Sequence, residues 1–381
     1  MGSIEEEIER LEEEIRKTPH NKATEGHIGK LRAKIASLRI EREKRAKGGG
    51  GGLGYAVRKS GHATVALVGY PSVGKSTLLT RLTGAESAAA AYEFTTTTII
   101  PGMLSWHGAN IQILDMPGLV TGAAQGRGRG REVISVARSS DLLLFIIDGQ
   151  HLEPRGLLKE LENAAIRVDR APPSISLTKA ERGGVQVEST VKLTKVTPKL
   201  VTDIAREFGI HNALIILRQD VSIDDVIDSL AGNRVYIPSL WVVNKADLLD
   251  TAARKKVLEK MPKVRVHFIS AATGEGLEEL KDAIGHALAF IRIFMKPQGK
   301  PVDREEPLIL RRGATIRELL QNLPIGLSSS FSSALVWGRS AKFPGQRVSR
   351  DHRLEDQDIV TILVLRGRGA ATRSPASGPA A

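Results

Sequence analysis

Cysteine is absent from the 381 residues, which excludes disulfides, a thiolate zinc site and a cysteine nucleophile. Aromatic residues make up 4%, so platforms for stacking single-stranded bases are expected to be scarce. The longest apolar runs, such as Leu142–Ile147, fall far short of the roughly 20 residues a membrane-spanning helix needs. The first residues are rich in Glu rather than basic and then apolar, so no secretory signal is expected and the cytoplasm is the expected location. Acidic residues are outnumbered, 43 Asp and Glu against 55 Lys and Arg, leaving a formal net charge of +12. That balance favours a polyanionic partner such as the ribosome or its RNA, because Lys and Arg neutralise phosphates without reading sequence; a solvated basic surface is the other reading. Neither sequence-specific DNA recognition nor a membrane partner is expected. The remaining composition, 41% hydrophobic and 26% charged, is that of a globular protein. The length admits one full-sized domain with smaller modules.

The chain divides by pattern. Ile8, Leu11 and Ile15 recur at helical spacing among acidic residues, and Ile28, Leu31, Ile35 and Leu38 among basic ones; the break near Pro19 predicts an antiparallel helical hairpin over residues 1–47. This arm either packs on its own chain or docks a partner. Glycines 48–52 open a flexible linker over 48–62. Thr64–Val68 then reads as a buried strand followed by a Gly-rich loop and the helical residues Leu78, Leu79 and Leu82. The further runs Ile111–Leu114, Leu142–Ile147, Leu240–Val243 and Val266–Ile269, separated by helical stretches, predict a mostly parallel, doubly wound α/β sheet.

The loop GYPSVGKS carries the chemistry. Gly69, Tyr70, Pro71, Ser72, Val73, Gly74, Lys75, Ser76 and Thr77 match G-x-x-x-x-G-K-[ST] in the strand-to-helix setting that motif requires. Its backbone N–H groups can close around phosphates at a helix N-terminus, Lys75 is expected to neutralise the β and γ phosphates, and Ser76 to offer a hydroxyl to Mg2+. NKAD, Asn244 to Asp247, selects the base. The two adjacent ring-edge donors of guanine match the Asp247 carboxylate, Asn244 adds a polar contact and the Lys245 stem can lie over the ring. Ser270, Ala271 and Ala272 follow the next strand, with the Ala271 amide expected to donate to the guanine oxygen. Asp115, opening DMPG after a strand, stands where a carboxylate reaches Mg2+ through water, and Gly118 can present its N–H to the γ phosphate. The cluster Thr95–Thr98 is placed to supply a Mg2+ ligand only when GTP is bound.

Leu119 follows Gly118 where the Ras pattern has a Gln that orients the attacking water. Water is then positioned by backbone, a cation or a partner, or turnover is very slow. The run GRGRGR, Gly126 to Arg131, either supplies an arginine in cis or forms a mobile switch facing acidic partners or RNA.

GYPSVGKSTLL, AAYEFTTTTIIPG, DMPGLVTGAAQGRGRGR and SSALVWGRSAKFPGQRV, with NKATEGHIGKL and GNRVYIP, together resemble the developmentally regulated GTP-binding protein family of the Obg-like GTPases. The likeness covers nearly the whole chain. It implies a translation-associated GTPase contacting ribosomes, and assigns the magnesium ligand of the Thr run to Thr96, so that Lys75, Thr96 and Gly118 form the catalytic set. It further implies an Obg-type G domain over residues 63–300, with a ribosomal-protein-S5-like α/β insert at 165–237 that is also expected because far more residues separate Asp148 from Asn244 than one helix needs. Within the insert, Val185–Val187 and Val191–Leu193 read as strands. A β-grasp TGS domain over 301–366 is implied to bind RNA or protein, and a disordered tail follows over 367–381. Two further expectations come with the family, a dedicated protein partner and stimulation by K+, although Ser72 stands where cation-dependent relatives commonly have Asn.

Overall fold

The computed structural model describes residues 3–19, 21, 24–47, 59–84, 100–116, 130–150, 154–261 and 264–364. Helix α1 spans Ile4–Lys17 and α2 spans Glu25–Lys47. A capping box joins Ser3 to Glu6, while Glu5, Glu6 and Glu7 in the first turn and Arg16 and Lys17 in the last suit the helix dipole. The two helices bury Ile8 and Leu11 against Leu31 and Ile35, flanked by Glu7–Lys34 at 2.9 Å and Glu12–Arg39 at 2.8 Å.

Next come β1 (Ala63–Val68), α3 (Lys75–Thr83), β2 (Ile100–Trp106), β3 (Ala109–Asp115), α4 (Gly130–Ser139), β4 (Leu142–Asp148) and α5 (Pro154–Asn163). After a stretch described below, β10 (Ser239–Asn244), α8 (Thr251–Lys260), β11 (Val266–Phe268) and α9 (Leu277–Ala287) complete a six-stranded sheet of order β11-β10-β4-β1-β3-β2. Every neighbouring pair is parallel except β2 with β3. Strands β1 and β4 are buried at every position, as central parallel strands covered on both faces must be, and hence read as unbroken apolar runs. One face packs Phe145, Leu157, Leu161 and Trp241, the other Leu67, Leu78, Ile113 and Leu280. Residues 59–62, taken above as linker, already belong to this unit: Gly61 bridges Ile111 and the His62 amide donates to the Asn110 carbonyl at 2.7 Å.

The insert comprises β5 (Ile166–Val168), β6 (Ile175–Lys179), β7 (Val185–Ser189), α6 (Pro198–Glu207), β8 (Ala213–Leu217), α7 (Ile223–Ala231) and β9 (Val235–Ile237). Its entry and exit strands, β5 and β9, pair in parallel, and β6-β8-β7 forms a separate sheet. Val191–Leu193 is not a strand: the Asp220 carboxylate instead ties down Thr194, and the Ser189 hydroxyl turns onto the Val191 carbonyl. The N-terminal arm packs on this insert. Ala33 and Ala36 share a core with Val201, Ile204, Val226 and Ile227, and Gly29 lets Ile223 approach closely; Lys30–Asp203 at 2.7 Å adds an ion pair.

The chain ends in β12 (Phe290–Met295), β13 (Leu308–Arg311), α10 (Ile316–Gln321), α11 (Ile325–Ser329), β14 (Phe331–Trp337), β15 (Gln346–Val348) and β16 (Ile359–Val364), a mixed sheet of order β13-β12-β16-β14-β15. Here the expected boundary at residue 300 moves. Strand β12 pairs with β13 and β16, so the C-terminal domain begins near Phe290, because an edge-to-centre strand cannot be removed from a sheet without orphaning its backbone groups. The Arg311–Asp141 ion pair, 2.8 Å, joins it to the six-stranded sheet. The glycine-rich residues 48–58 and residues 365–381 lie outside the described residues.

Candidate functional site

Val68, Asp115, Asp148 and Asn244 all stand at the C-terminal ends of sheet strands, the edge at which open α/β sheets bind ligands. The loop from Gly69 to Gly74 crosses this edge into α3. A Cβ at Gly69 would meet the Ile146 carbonyl oxygen at 2.5 Å, so glycine alone lets the loop run beside β4. Gly74 (φ 91) and Ser72 (φ 63) hold left-handed conformations; strain of about 1 kcal/mol or more at a non-glycine residue there is typical of ligand-gripping loops. Tyr70 is half-buried, Val73 buried, and Pro71, Ser72 and Thr77 face solvent.

Lys75 is buried, and its Nζ donates to the carbonyls of Tyr70 at 2.9 Å and Gly69 at 3.1 Å. Burial pushes its pKa below the ordinary lysine value, against the pull of Asp115. A phosphate at this position supplies the countercharge that the ammonium otherwise obtains only from carbonyl dipoles. Beside it, Ser76 Oγ donates to Asp115 Oδ2 at 2.5 Å, while Asp115 Oδ1 is buried without a hydrogen-bond partner among the described residues. A hydroxyl and a half-satisfied carboxylate, hard oxygen donors next to a phosphate cradle, fit Mg2+.

At the base end the structure gives two of the expected residues partners within the chain. Asn244 is buried; its Nδ2 donates to the Val73 carbonyl and its Oδ1 accepts from the Ala271 amide, both at 2.9 Å. One N–H of the Asn244 amide and its carbonyl oxygen are thereby used on the protein, which leaves its second N–H for a polar contact to a base, while the Ala271 hydrogen expected for the guanine oxygen goes to Asn244. Asn244 therefore clamps the phosphate loop to the base loop. Lys245, at φ 61, pairs its Nζ with Asp148 Oδ2 at 2.6 Å. Asp247 is exposed in the short turn Ala246–Leu248, and its carboxylate accepts no hydrogen bond from any described residue. Buried Ser270 closes its own turn by accepting from the Thr273 amide at 3.1 Å.

Three supports escaped the sequence. Arg81, on the helix that follows the phosphate loop, donates to the carbonyls of Ala272 at 2.8 Å and Ala271 at 3.2 Å. Arg254 donates to the Ala246 carbonyl at 2.9 Å and pairs with Glu275 at 2.8 Å. Asp148, in register with Asn244 across the sheet, fixes Lys245. No motif spacing could reveal them, since each partner lies on a different element. Thr96, Gly118, Leu119, Arg127 and Arg129 lie outside the described residues, as does the side chain of Arg131.

A phosphate loop, a strand-end carboxylate held to its serine, and an exposed Asp247 on a braced turn define a P-loop GTPase. Comparison with known proteins gives the same class. A model described as "50S ribosome-binding GTPase" matches residues 64–179, the "C-terminal region of MMR_HSR1 domain" matches 182–290, and a TGS domain matches 291–364. The chain is 51% identical over 369 residues to an uncharacterized GTP-binding protein of Methanocaldococcus jannaschii, covering 96% of this chain and 94% of that one. It is 42% identical over 373 residues to developmentally-regulated G-protein 3 of Arabidopsis thaliana, covering 95% and 99%. Against developmentally-regulated GTP-binding protein 2 of Mus musculus the identity is 43% over 366 residues, covering 95% and 100%. Among solved structures, a GTP-binding protein from Pyrococcus horikoshii OT3 aligns with a TM-score of 0.44 at 16% identity, over 79% of this chain and all of that one. The chain belongs to the developmentally regulated GTP-binding protein family of the Obg-like GTPases and carries a C-terminal TGS domain.

Proposed function

We propose that this GTPase is a magnesium-dependent switch in the cytoplasm that turns GTP over slowly and acts on the ribosome or its RNA. The observation that carries the reading is the Asn244 clamp: with the phosphate and base loops already joined, the protein meets a guanine nucleotide with both halves of the site in place. Lys75 turns from the Gly69 and Tyr70 carbonyls to the β and γ phosphates, and the loop amides at the start of α3 receive the remaining charge. Asp247 accepts the two ring-edge donors of guanine. Ser76 and Asp115, with Thr96, hold Mg2+, which when bound supplies charge neutralisation at the phosphate oxygens. Gly118 presents its N–H to the γ phosphate.

Leu119 offers no polar group to orient water, which supports slow intrinsic turnover and a partner that completes the site. The printed description of the matched GTPase model and the net charge of +12 support a ribosomal partner. K+ stimulation and a dedicated protein partner are proposed from the family likeness alone. Multiple-turnover assays with and without ribosomes test the reading: phosphate release that ribosomes accelerate is expected. No release under either condition would replace the switch with a nucleotide sensor. Equal cosedimentation with ribosomes in the GDP and GTP-analogue states would make the chain an adaptor.

A further inference from the structure

The C-terminal sheet has two unlike faces. One is filled by α10 and its neighbours: Ile291, Ile293, Ala334, Val336 and Val360 are buried with Ile316, Leu319 and Leu320. Alternation along the strands then sends Phe294, Trp337 and Ile359 to the opposite face. Their registers align, Phe294 with Ile359 and Ile359 with Trp337, so the three form one row across β12, β16 and β14. All three are partly exposed.

Cations lie over both rings. Lys296 Nζ is 4.8 Å from the Trp337 ring centroid, and the Arg304 guanidinium is 5.9 Å from that of Phe294. Arg347, on the edge strand β15 in register with Leu335, donates to Ser333 on the same face. Lys296, Arg304 and Arg347 form no ion pair with any described carboxylate. Phe343 is 59% exposed two residues before Gly345, whose backbone lies against the Trp337 indole.

We propose that this open face binds single-stranded RNA, with bases stacking on Trp337 and Phe294 and phosphates taken by Lys296, Arg304 and Arg347. A row of aromatics spaced across strands of an open sheet offers π-faces to successive bases, and unpaired cations beside them match a strand that carries one negative charge per nucleotide. An apolar peptide would use the aromatics but leave three cations without counterions, so the charge favours RNA. The proposal deepens the ribosomal reading by giving its RNA contact a place, and it lies far from the nucleotide: the domain joins the six-stranded sheet through Arg311 and Asp141, at the start of β4 and opposite the strand ends that hold the phosphate loop.

The test uses the full-length protein and a fluorescein-labelled oligouridylate RNA, read by anisotropy over a salt series, with GDP affinity and thermal midpoint measured in parallel. Trp337→Leu keeps an apolar side chain but removes the ring, and is expected to weaken RNA binding about tenfold while GDP affinity holds. Lys296→Gln, at a side chain that is not in the core, is expected to flatten the salt dependence by about 0.7 in log–log slope. RNA affinity unchanged in both variants would overturn the proposal. So would a wild-type protein that binds no RNA but whose face cross-links to a protein in ribosome preparations. Ribosome cosedimentation separates the two readings: binding retained by both variants removes this face but leaves the ribosomal role, whereas RNA binding by the face without ribosome binding does the reverse.

Discussion

The side-chain amide of Asn244 donates to the carbonyl of Val73 at 2.9 Å, deep under the phosphate loop. A Cβ at Gly74 would strike that same amide, so the glycine and the asparagine require one another. Asn244→Asp replaces the donor with an oxygen facing a carbonyl oxygen and leaves a buried charge. Each stranded polar group costs about 1–3 kcal/mol, so the thermal midpoint should fall and GDP affinity should drop with it. Calorimetry on the free and GDP-bound protein checks both; an unchanged affinity would show that the clamp is dispensable.

Asp247 gives the contrasting case. Because it is exposed and unbonded within the chain, Asp247→Asn should leave stability within about 0.5 kcal/mol, as surface changes do. Guanine affinity should nonetheless fall more than tenfold, since an amide cannot accept both ring-edge donors. Titration calorimetry with GDP, beside a melting curve of the free protein, separates the two effects.

Asp228 holds the insert. It is 6% exposed and accepts from Arg167 through Nε and Nη2, both at 2.6 Å, and from Arg234 at 2.8 Å. Burial pulls the Arg167 pKa down, but the hydrogen bond and charge of Asp228 outweigh it and hold the guanidinium above its ordinary value. Asp228→Asn leaves two guanidinium groups without their counterion, a loss of about 3–5 kcal/mol. The expected readout is a lowered unfolding midpoint with GDP affinity retained, because the nucleotide loops are untouched.

His267 should carry a measurable pH dependence. Burial, assisted by Arg265, holds its pKa below the usual 6.5, and its Nε2 has no partner among the described residues. The imidazole is thus neutral in the folded protein where the unfolded chain has begun to protonate. Stability contributed by this site is complete above the unfolded pKa and declines as pH falls through about 6.5 towards the lowered folded value. His267→Val, suited to the strand, should flatten the loss of stability between pH 7.5 and 5.5 in urea titrations. An equally steep loss in the variant would assign the effect elsewhere.

Trp106 rests on Gly285, where a Cβ would lie 2.3 Å from two carbons of the indole ring. The Trp106 Nε1–H also donates to Asp282 at 2.9 Å. Gly285→Ala must push β2 away from α9, at an expected cost of about 1–3 kcal/mol for overpacking. A melting temperature at or above wild type would mean that the edge strand yields freely.

Sequence alone determined the parts that depend on local order. The loop Gly69 to Thr77 works through consecutive backbone amides, and strands such as Leu142–Asp148 are buried on both faces, so both leave their mark in contiguous residues. Asp115, Asp247 and the Ser270–Ala272 turn were legible for the same reason, as strand-end motifs. Tertiary structure alone decided what those residues touch. Asn244 reads only as a base contact until β10 is laid beside the phosphate loop, where its amide also joins Val73 and Ala271. Arg81 and Asp148 carry no motif, because their partners come from other strands and helices. The start of the last domain at Phe290, and the alignment of Phe294 with Trp337 across it, follow from β12 pairing with β16 some sixty residues later. Such register is set by hydrogen bonds between distant segments, which no window along the chain contains.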